Sequence, residues 1–459
     1  MSRVCERTAD YHALIERFVA LHAGRPRQRT EAWLARKATS IGGSEVAALM
    51  GWNPYSSFGK VVGAKAGVRT WDGASVACWW GTLFEPVIER FVEIDCGTRL
   101  AGTDISVPAP AGSGLRGRHA NSPDGYAVLT LYLSDRDEWR LLATDAAARA
   151  AAAGRPQVEV VALLEFKCPF RRWPKGGVPR HYRPQVWSGL ALSPVACLGV
   201  FVDAGFRKCA LWSLGPQEGY DRAYHREREN PRWGAPVAWG VTGVYAPRLG
   251  APRGSRAPAE VRGALAQALG EGAPADPAYE AWHLRYAYFG LLPESPASAA
   301  RGFSPDPVDF GDCSKAAFET MMLHLSQGGF RAEHVGPCFP DGRGAPLGDD
   351  TQIGRAVEAL AAAPPRGHYL LGVLPWKLLE VDYSFLERRP GFLAEVAPLV
   401  HECLGAAAQI RGAADPAGAY GEYLAARARA RAEKGERPSA AASAADVQDL
   451  FDAVVARSA

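Results

Sequence analysis

Along the chain, apolar residues recur every three to four positions in some stretches, and alternate or run together in others. The periodic stretch at residues 10–22 predicts a short helix. SEVAALMG predicts a second, with Ser44 as its cap and Gly51 as its stop. In WWGTLFEPVIERFVEIDCG, Leu83, Phe84, Val87, Ile88, Phe91 and Val92 fall at helical spacing and Gly97 closes the run. Proline is tolerated in a first turn, so Pro86 predicts that this helix begins near Thr82–Glu85. YAVLTLYL (126–133) and VEVVALLEF (158–166), rich in β-branched and apolar residues, predict strands. The alanine-rich, charged stretch between them, about 136–156, reads as a surface insertion. A basic loop, a helix through RPQVWSGLAL and a strand ACLGVFVDA follow. Helices and strands in alternation argue for an α/β core.

Beyond residue 230 the pattern changes. Pro, Ala and Gly dominate to about 310, as in GAPRGSRAPAE and LLPESPASAARGFSPDP. The division expected is therefore a core over 1–230 and an insertion or linker region over 231–365. HYLLGVLPWKLLEVDY (368–383) is strand-like with a Pro-Trp break. It belongs to a strand–helix segment, 366–410, that either completes the core or begins a separate domain. The Ala/Arg-rich tail, 411–459, reads as a solvated helix or as disorder.

Composition narrows the class. Of the 459 residues, 47% are hydrophobic and 22% charged, which excludes wholesale disorder. A net charge of +3 leaves any nucleic-acid partner to a local basic patch. The nine cysteines form no C-x-x-C pair, so zinc-ribbon and thioredoxin chemistry are not indicated. The N-terminus lacks an apolar leader, and no run approaches the roughly 18 apolar residues of a membrane span. A soluble protein of intracellular type, without a membrane partner, is expected.

The candidate chemistry begins at LLEFKCP (163–169). In a strand, residues i and i+2 share a face, so Glu165 and Lys167 stand side by side while Phe166 turns the other way. Such a pair is costly to bury unless something repays the desolvation, and a divalent cation would. Upstream, SPDG is turn chemistry leading into a strand, and it fixes Asp124 at that strand's start. Either feature alone has an ordinary structural explanation. Together they place an aspartate on one strand and E-x-K on the next, the arrangement in which two carboxylates share a Mg²⁺ ion.

Five motifs in order, the basic Arg36-Lys37 before IGGSEVAALMGWNPY, then GTLFEP, SPDG, LLEFKCP and YRPQVWSGL, resemble those of the PD-(D/E)XK nucleases. The branch is that of phage lambda exonuclease, herpesvirus alkaline nuclease and the YqaJ-like viral recombinases, and the resemblance covers about 36–205. It implies a restriction-endonuclease-like fold: a central mixed β-sheet flanked by helices, here with a large insertion or C-terminal extension. It also implies roles for individual residues. Asp124 and Glu165 match the principal metal ligands, with the carbonyl of Phe166 and the carboxylate of Glu85 assisting. Lys167 matches the catalytic lysine and Gln185 a glutamine oriented at the site, with Tyr182 beside it. Ser44 matches a serine that grips a terminal phosphate. Two departures stand out: Trp187 occupies a position where the family often has a second glutamine, and the gap between Asp124 and Glu165 is long.

Basic residues flank the acidic motifs: Arg116, Arg118 and His119 before SPDG, and Arg171, Arg172, Lys175, Arg180, His181 and Arg183 after E-x-K. With Arg36 and Lys37 they suit a polyanion. Trp52, Tyr55 and Trp173 are candidates for stacking on bases. The function expected is Mg²⁺-dependent hydrolysis of DNA, with Mn²⁺ as a substitute, from the 5′ ends of double-stranded DNA. By family resemblance it would act in recombination, replication or genome processing of a large DNA virus or phage, at a nuclear or cytoplasmic replication site. A single-strand annealing protein would be its partner, and the family contains both monomers and trimers. The alternatives are an endonuclease or RNase of the same fold, or an inactive DNA-end-binding protein; an iron–sulfur nuclease lacks its cysteine cluster here.

Overall fold

The computed structural model describes residues 10–26, 30–68, 76–170, 172–174, 176–214, 236–247, 307–344 and 350–433. The N-terminal third supplies helices α1 (Tyr11–His22), α2 (Glu31–Thr39), α3 (Gly43–Leu49), α4 (Phe58–Ala66) and α5 (Val76–Cys96). It also supplies the short strands β1 (Ile41–Gly42), β2 (Val107–Pro108) and β3 (His119–Asn121), which form a small sheet in the order β1-β3-β2. The main sheet begins with β4 (Gly125–Leu133), β5 (Trp139–Leu141) and, after α6 (Ala146–Ala152), β6 (Gln157–Lys167). After α7 (Arg183–Leu192) come β7 (Leu198–Lys208), β8 (Ala238–Pro247), β9 (Val308–Asp309), α8 (Lys315–Ser326), β10 (Arg331–Cys338), α9 (Asp350–Ala362) and β11 (His368–Glu387). Helices α10 (Phe392–Arg411) and α11 (Pro416–Glu433) end the described chain.

The main strand order is β10-β8-β11-β7-β6-β4-β5, with β9 beside β11. β6 runs antiparallel to β4 and parallel to β7, so the sheet is mixed. Its two faces are covered differently. Ala162, Leu164 and Phe166 of β6, with Val200, Val202 and Ala204 of β7, pack on Phe84, Val87, Ile88 and Phe91 of α5. The alternate residues Val161, Leu163 and Phe201 meet Val186 and Leu190 of α7 and Phe392, Val396 and Val400 of α10. Burial on both faces explains why these strands read as unbroken apolar runs.

Several sequence expectations change. Helix α5 starts by Val76 and carries Pro86 in its interior. Pro86 lies on the exposed side of the helix, while Trp80, Leu83 and Phe84 are buried on the other. Ser44 is not the cap of α3; Gly42 is, its N–H donating to Glu45 Oε2 at 2.7 Å. The Pro-Trp step does not break β11. The Pro375 carbonyl accepts from Cys209 N at 3.0 Å, so its missing N–H also faces the side where β7 has just ended.

The stretch read as an insertion or linker contributes β8, α8 and β10, and β8 lies next to β11 within the sheet. Residues 231–235, 248–306 and 345–349 of it lie outside the described residues. In the stretch 136–156, β5 pairs with β4 and α6 is capped by Asp145. Tail residues Tyr420 and Leu424 of α11 are buried, the Tyr420 hydroxyl donating to the Gly59 carbonyl at 3.1 Å; residues 434–459 lie outside the described residues. None of the described cysteines is in a disulfide.

The fully buried Phe84 ring stacks on Phe206 with centroids 4.4 Å apart, tying α5 to the sheet. Phe84→Ala is expected to cost about 3–5 kcal/mol of stability, measured by urea denaturation.

Candidate active site

The SPDG turn delivers Asp124 to the end of β4 nearest Glu165. Its N–H donates to the Leu164 carbonyl at 3.2 Å, and its Oδ2 accepts from the Phe166 N–H at 2.6 Å. Both bonds go to β6, so turn and E-x-K strand are locked in one register. Strand alternation turns Leu163, Glu165 and Lys167 to the α7 side while Phe166 packs beneath, in the α5 core. Glu165 is 0% exposed. Its Oε1 accepts from Lys167 Nζ and from Gln185 Nε2 of α7. Lys167 Nζ also donates to the Phe166 carbonyl at 3.0 Å.

The electrostatics follow from burial. Desolvation raises the Asp124 carboxyl well above the usual carboxylate range, and the charge of Glu165 adds to it. Desolvation likewise raises Glu165, against the pull of Lys167. Half-buried Glu85, on α5, lies near enough to push both upward. Burial opposes the charge of Lys167, but Glu165 and Asp124 outweigh it and hold the ammonium protonated.

This donor set fits a hard divalent cation. Glu165 Oε2 is buried with no hydrogen-bond partner among the described residues. An orphaned buried acceptor costs about 1–3 kcal/mol, a cost that a cation would remove. Asp124 and Glu165 would hold it. No three His, Cys, Asp or Glu side chains among the described residues converge as a metal cluster, so carbonyl and solvent oxygens would complete the shell. Glu85 adds a third carboxylate near the pair.

The cavity of about 240 Å³ that these carboxylates line also has a wall of opposite character, built from Arg36, Lys37, Ser40, Gly42, Gly43, Ser44, Asn121 and Ser122. Arg36 Nη2 and Asn121 Nδ2 are buried donors with no partner among the described residues. Gly43 is required here: a Cβ would stand 1.8 Å from Asn121 Oδ1. The wall is braced from behind. Glu45 and Lys65 form a buried ion pair at 2.9 Å, Glu45 holds Gly42 N–H, and Lys65 Nζ donates to the Lys37 carbonyl at 2.7 Å. Arg411 of α10 donates to the Lys65 carbonyl. Asn121, Ser122 and the Glu45–Lys65 brace were not singled out from sequence, because a polar residue in a turn or short helix carries no sign of what folds against it.

The remaining candidates disperse. Arg172 forms a bidentate pair with buried Asp203 of β7, at 2.5 and 2.8 Å. Its neutralised charge anchors the loop after β6. Arg118 is exposed and meets His401 Nδ1 of α10 at 3.0 Å. His119 is buried, its Nδ1 against the Ile41 carbonyl at 2.9 Å, so it does not belong to a basic rim. Arg183 Nε donates to the Val178 carbonyl at 3.0 Å, and the residue lines a separate groove with Trp187. Trp173 lies under Arg207, its centroid 4.7 Å from the guanidinium carbon. Tyr182 presents its ring to Lys167 Nζ at 5.4 Å. Arg171 and Lys175 lie outside the described residues.

Residues 32–195 match the family model for the YqaJ-like viral recombinase domain. A protein of African swine fever virus (strain Badajoz 1971 Vero-adapted) is 37% identical over 227 residues, 50% of this chain and 63% of that protein. The protein of the same name from isolate Tick/Malawi/Lil 20-1/1983 is 36% identical over 228 residues, again 50% of this chain and 63% of the relative. The chain therefore spans less than two thirds of the length of these relatives. Among solved structures, an alkaline exonuclease from Laribacter hongkongensis is matched at TM-score 0.24 and 19% identity, over 38% of this chain and 74% of that one. Its complex with dAMP is matched at TM-score 0.25 and 20% identity, over 38% and 73%. The sheet is mixed, and Asp124, at the head of β4, and E-x-K of β6 lie on neighbouring antiparallel strands. No helix among the described residues is long and apolar enough to cross a membrane.

Because both carboxyl pKa values lie above their unfolded values, the folded chain holds extra protons as pH rises out of the ordinary carboxylate range. Stability without a cation therefore falls across that window. In chelator, Asp124→Asn, which relieves the strongly raised carboxyl and keeps the Lys167–Glu165 pair, is expected to raise the thermal midpoint by about 2 °C. Ca²⁺ should raise the wild-type midpoint more at pH 8 than at pH 6, where protons compete, and leave Glu165→Gln unmoved. Equal responses of the two proteins in thermal melts would remove the cation site.

Proposed function

We infer that this chain, whose residues 32–195 match the YqaJ-like viral recombinase domain, is a Mg²⁺-dependent DNA nuclease that degrades double-stranded DNA from its 5′ ends. One observation carries this reading. Asp124 and Glu165, a pair suited to a cation, line the same small cavity as Arg36, Ser44 and Ser122, groups suited to an anion. That separation of charge suits a phosphodiester at the acidic side with a terminal phosphate on the basic side. An endonuclease of the same fold has no use for a terminal-phosphate wall. An end-binding protein without activity has no use for E-x-K.

The chemistry divides among the side chains. When bound, Mg²⁺ supplies Lewis acidity toward the phosphate and lowers the pKa of water. Lys167, held protonated, cannot serve as a base; its N–H groups orient the attacking water or a non-bridging oxygen and offset charge developing on phosphorus. Gln185 fixes Glu165 Oε1 and so leaves Oε2 turned to the cation. Arg36 and Asn121, whose Nη2 and Nδ2 have no partner among the described residues, and Ser44 and Ser122, with their hydroxyls, grip the terminal phosphate.

In this reading residues 1–230 form the nuclease core and 366–410 complete it, which the place of β11 against β7 supports; 231–365 is an insertion that also lends strands to the sheet. The 3′ overhangs produced would serve a single-strand annealing protein during recombination or genome processing of a large DNA virus.

The test is digestion of an end-labelled duplex with Mg²⁺. Linear DNA bearing a 5′-phosphate should be degraded from that end, circular DNA spared, and Asp124→Asn slowed at least about 10²-fold. Arg36→Ala should reduce the preference for 5′-phosphate over 5′-hydroxyl about tenfold, leaving cleavage of the 5′-hydroxyl duplex little changed. Equal cutting of circular and linear DNA would make the enzyme an endonuclease.

A further inference from the structure

A line of aromatic rings, which the proposed chemistry does not use, leads out of the site. It is rooted at Phe201 of β7, whose ring lies 5.3 Å from that of Tyr182. Tyr182 has Lys167 Nζ over its ring and meets the His181 ring at a tilt of 45°, centroids 4.1 Å apart. His181 then meets Tyr55 edge to face at 5.8 Å and 82°. Tyr55 is 73% exposed, yet its backbone is held: the N–H donates to Asn53 Oδ1 at 2.8 Å, in a turn that also contains Pro54. A large ring kept in water by a rigid turn is not core packing, and this one ends a path that begins at the catalytic lysine.

The surroundings favour a nucleic acid. Arg180 lies over Trp52, its guanidinium carbon 4.5 Å from the ring centroid, and Arg389 over Trp187 at 4.9 Å. The two tryptophans meet at 6.2 Å, and Trp187 rests on Phe392. Trp187, at the position where the family often carries a glutamine, thus turns away from Glu165 and braces a pair of arginine-capped indoles. Cationic groups beside exposed aromatic faces are how proteins hold single strands: charge for the backbone, ring for the base.

We propose that Tyr55, His181 and Tyr182 form a stacking subsite for an unpaired nucleobase adjoining the scissile phosphate. The proposal rests on the nuclease reading for the identity of the ligand, and its test separates the two. A duplex with a short unpaired 5′ tail carrying 2-aminopurine is titrated with the full chain in Ca²⁺, where fluorescence reports stacking without cleavage. The wild type and Tyr55→Phe should quench the probe. Tyr55→Ala should lose most of the quenching and bind the tailed duplex about tenfold more weakly, with fully paired DNA affected no more than about twofold. Equal quenching by Tyr55→Ala and wild type, no quenching by wild type, or equal loss on both DNAs would overturn it. A wild-type protein that quenches but does not cut DNA in Mg²⁺ keeps the subsite and overturns the nuclease reading alone.

Discussion

Two carboxyl groups held out of water at the end of one sheet dominate the structure. Burial raises the pKa of Asp124 and Glu165, and each carboxylate makes ionisation of the other harder. A sheet interior normally expels such a pair. Here it is retained by bonds that leave no slack: Phe166 N–H to Asp124, Lys167 and Gln185 to one oxygen of Glu165. The other oxygen has no partner among the described residues. What holds the carboxylates apart from water also leaves room for a cation, and this part of the fold is less stable for it.

The rest of the molecule supports that arrangement from both sides. Beneath the sheet, α5 packs Phe84, Val87 and Phe91 against the alternate residues of β6 and β7, so the strand bearing Glu165 cannot slip by one residue without putting the glutamate into an apolar core. Above it, α7 brings Gln185 down onto Glu165, and α10 closes over α4 and α7. Most of the basic wall comes from α2, β1 and α3, while Asn121 ends β3 and Ser122 shares the SPDG turn with Asp124. The α2–α3 part is held in place by the buried Glu45–Lys65 pair and by Arg411. A buried pair of this kind contributes little net stability but is costly to break on one side, which makes it a device for position.

Charge is distributed to the same end. Of the basic residues around the motifs, some are spent on structure. Arg172 neutralises Asp203, and Arg343, reaching from the loop after β10, joins buried Asp95 at 3.2 Å. Arg36, by contrast, lines the cavity and keeps one nitrogen without a partner among the described residues. An arginine's proximity to a catalytic motif in sequence therefore says little about whether it meets the substrate, because a guanidinium goes to whichever carboxylate the fold leaves buried beside it.

How much of this could be read in the chain depends on the range of the interaction. The period of apolar residues sets the faces of α5, β4, β6 and β7, since alternation and helical repeat are local geometry. The shared face of Glu165 and Lys167 follows from that geometry alone, and SPDG places Asp124 at a strand entrance for the same local reason. Contacts between distant segments were not legible. Nothing near Arg172 announces Asp203, and nothing near residue 43 announces Asn121 or the need for glycine beside it. The extra strands β8 and β10 were hidden by a neighbourhood rich in Pro, Ala and Gly. Sequence by itself determined which side chains can share a face. Only the tertiary structure decided which charges are paired, which are buried and which remain open to a ligand, because desolvation and pairing depend on everything packed around a group and not on its neighbours along the chain.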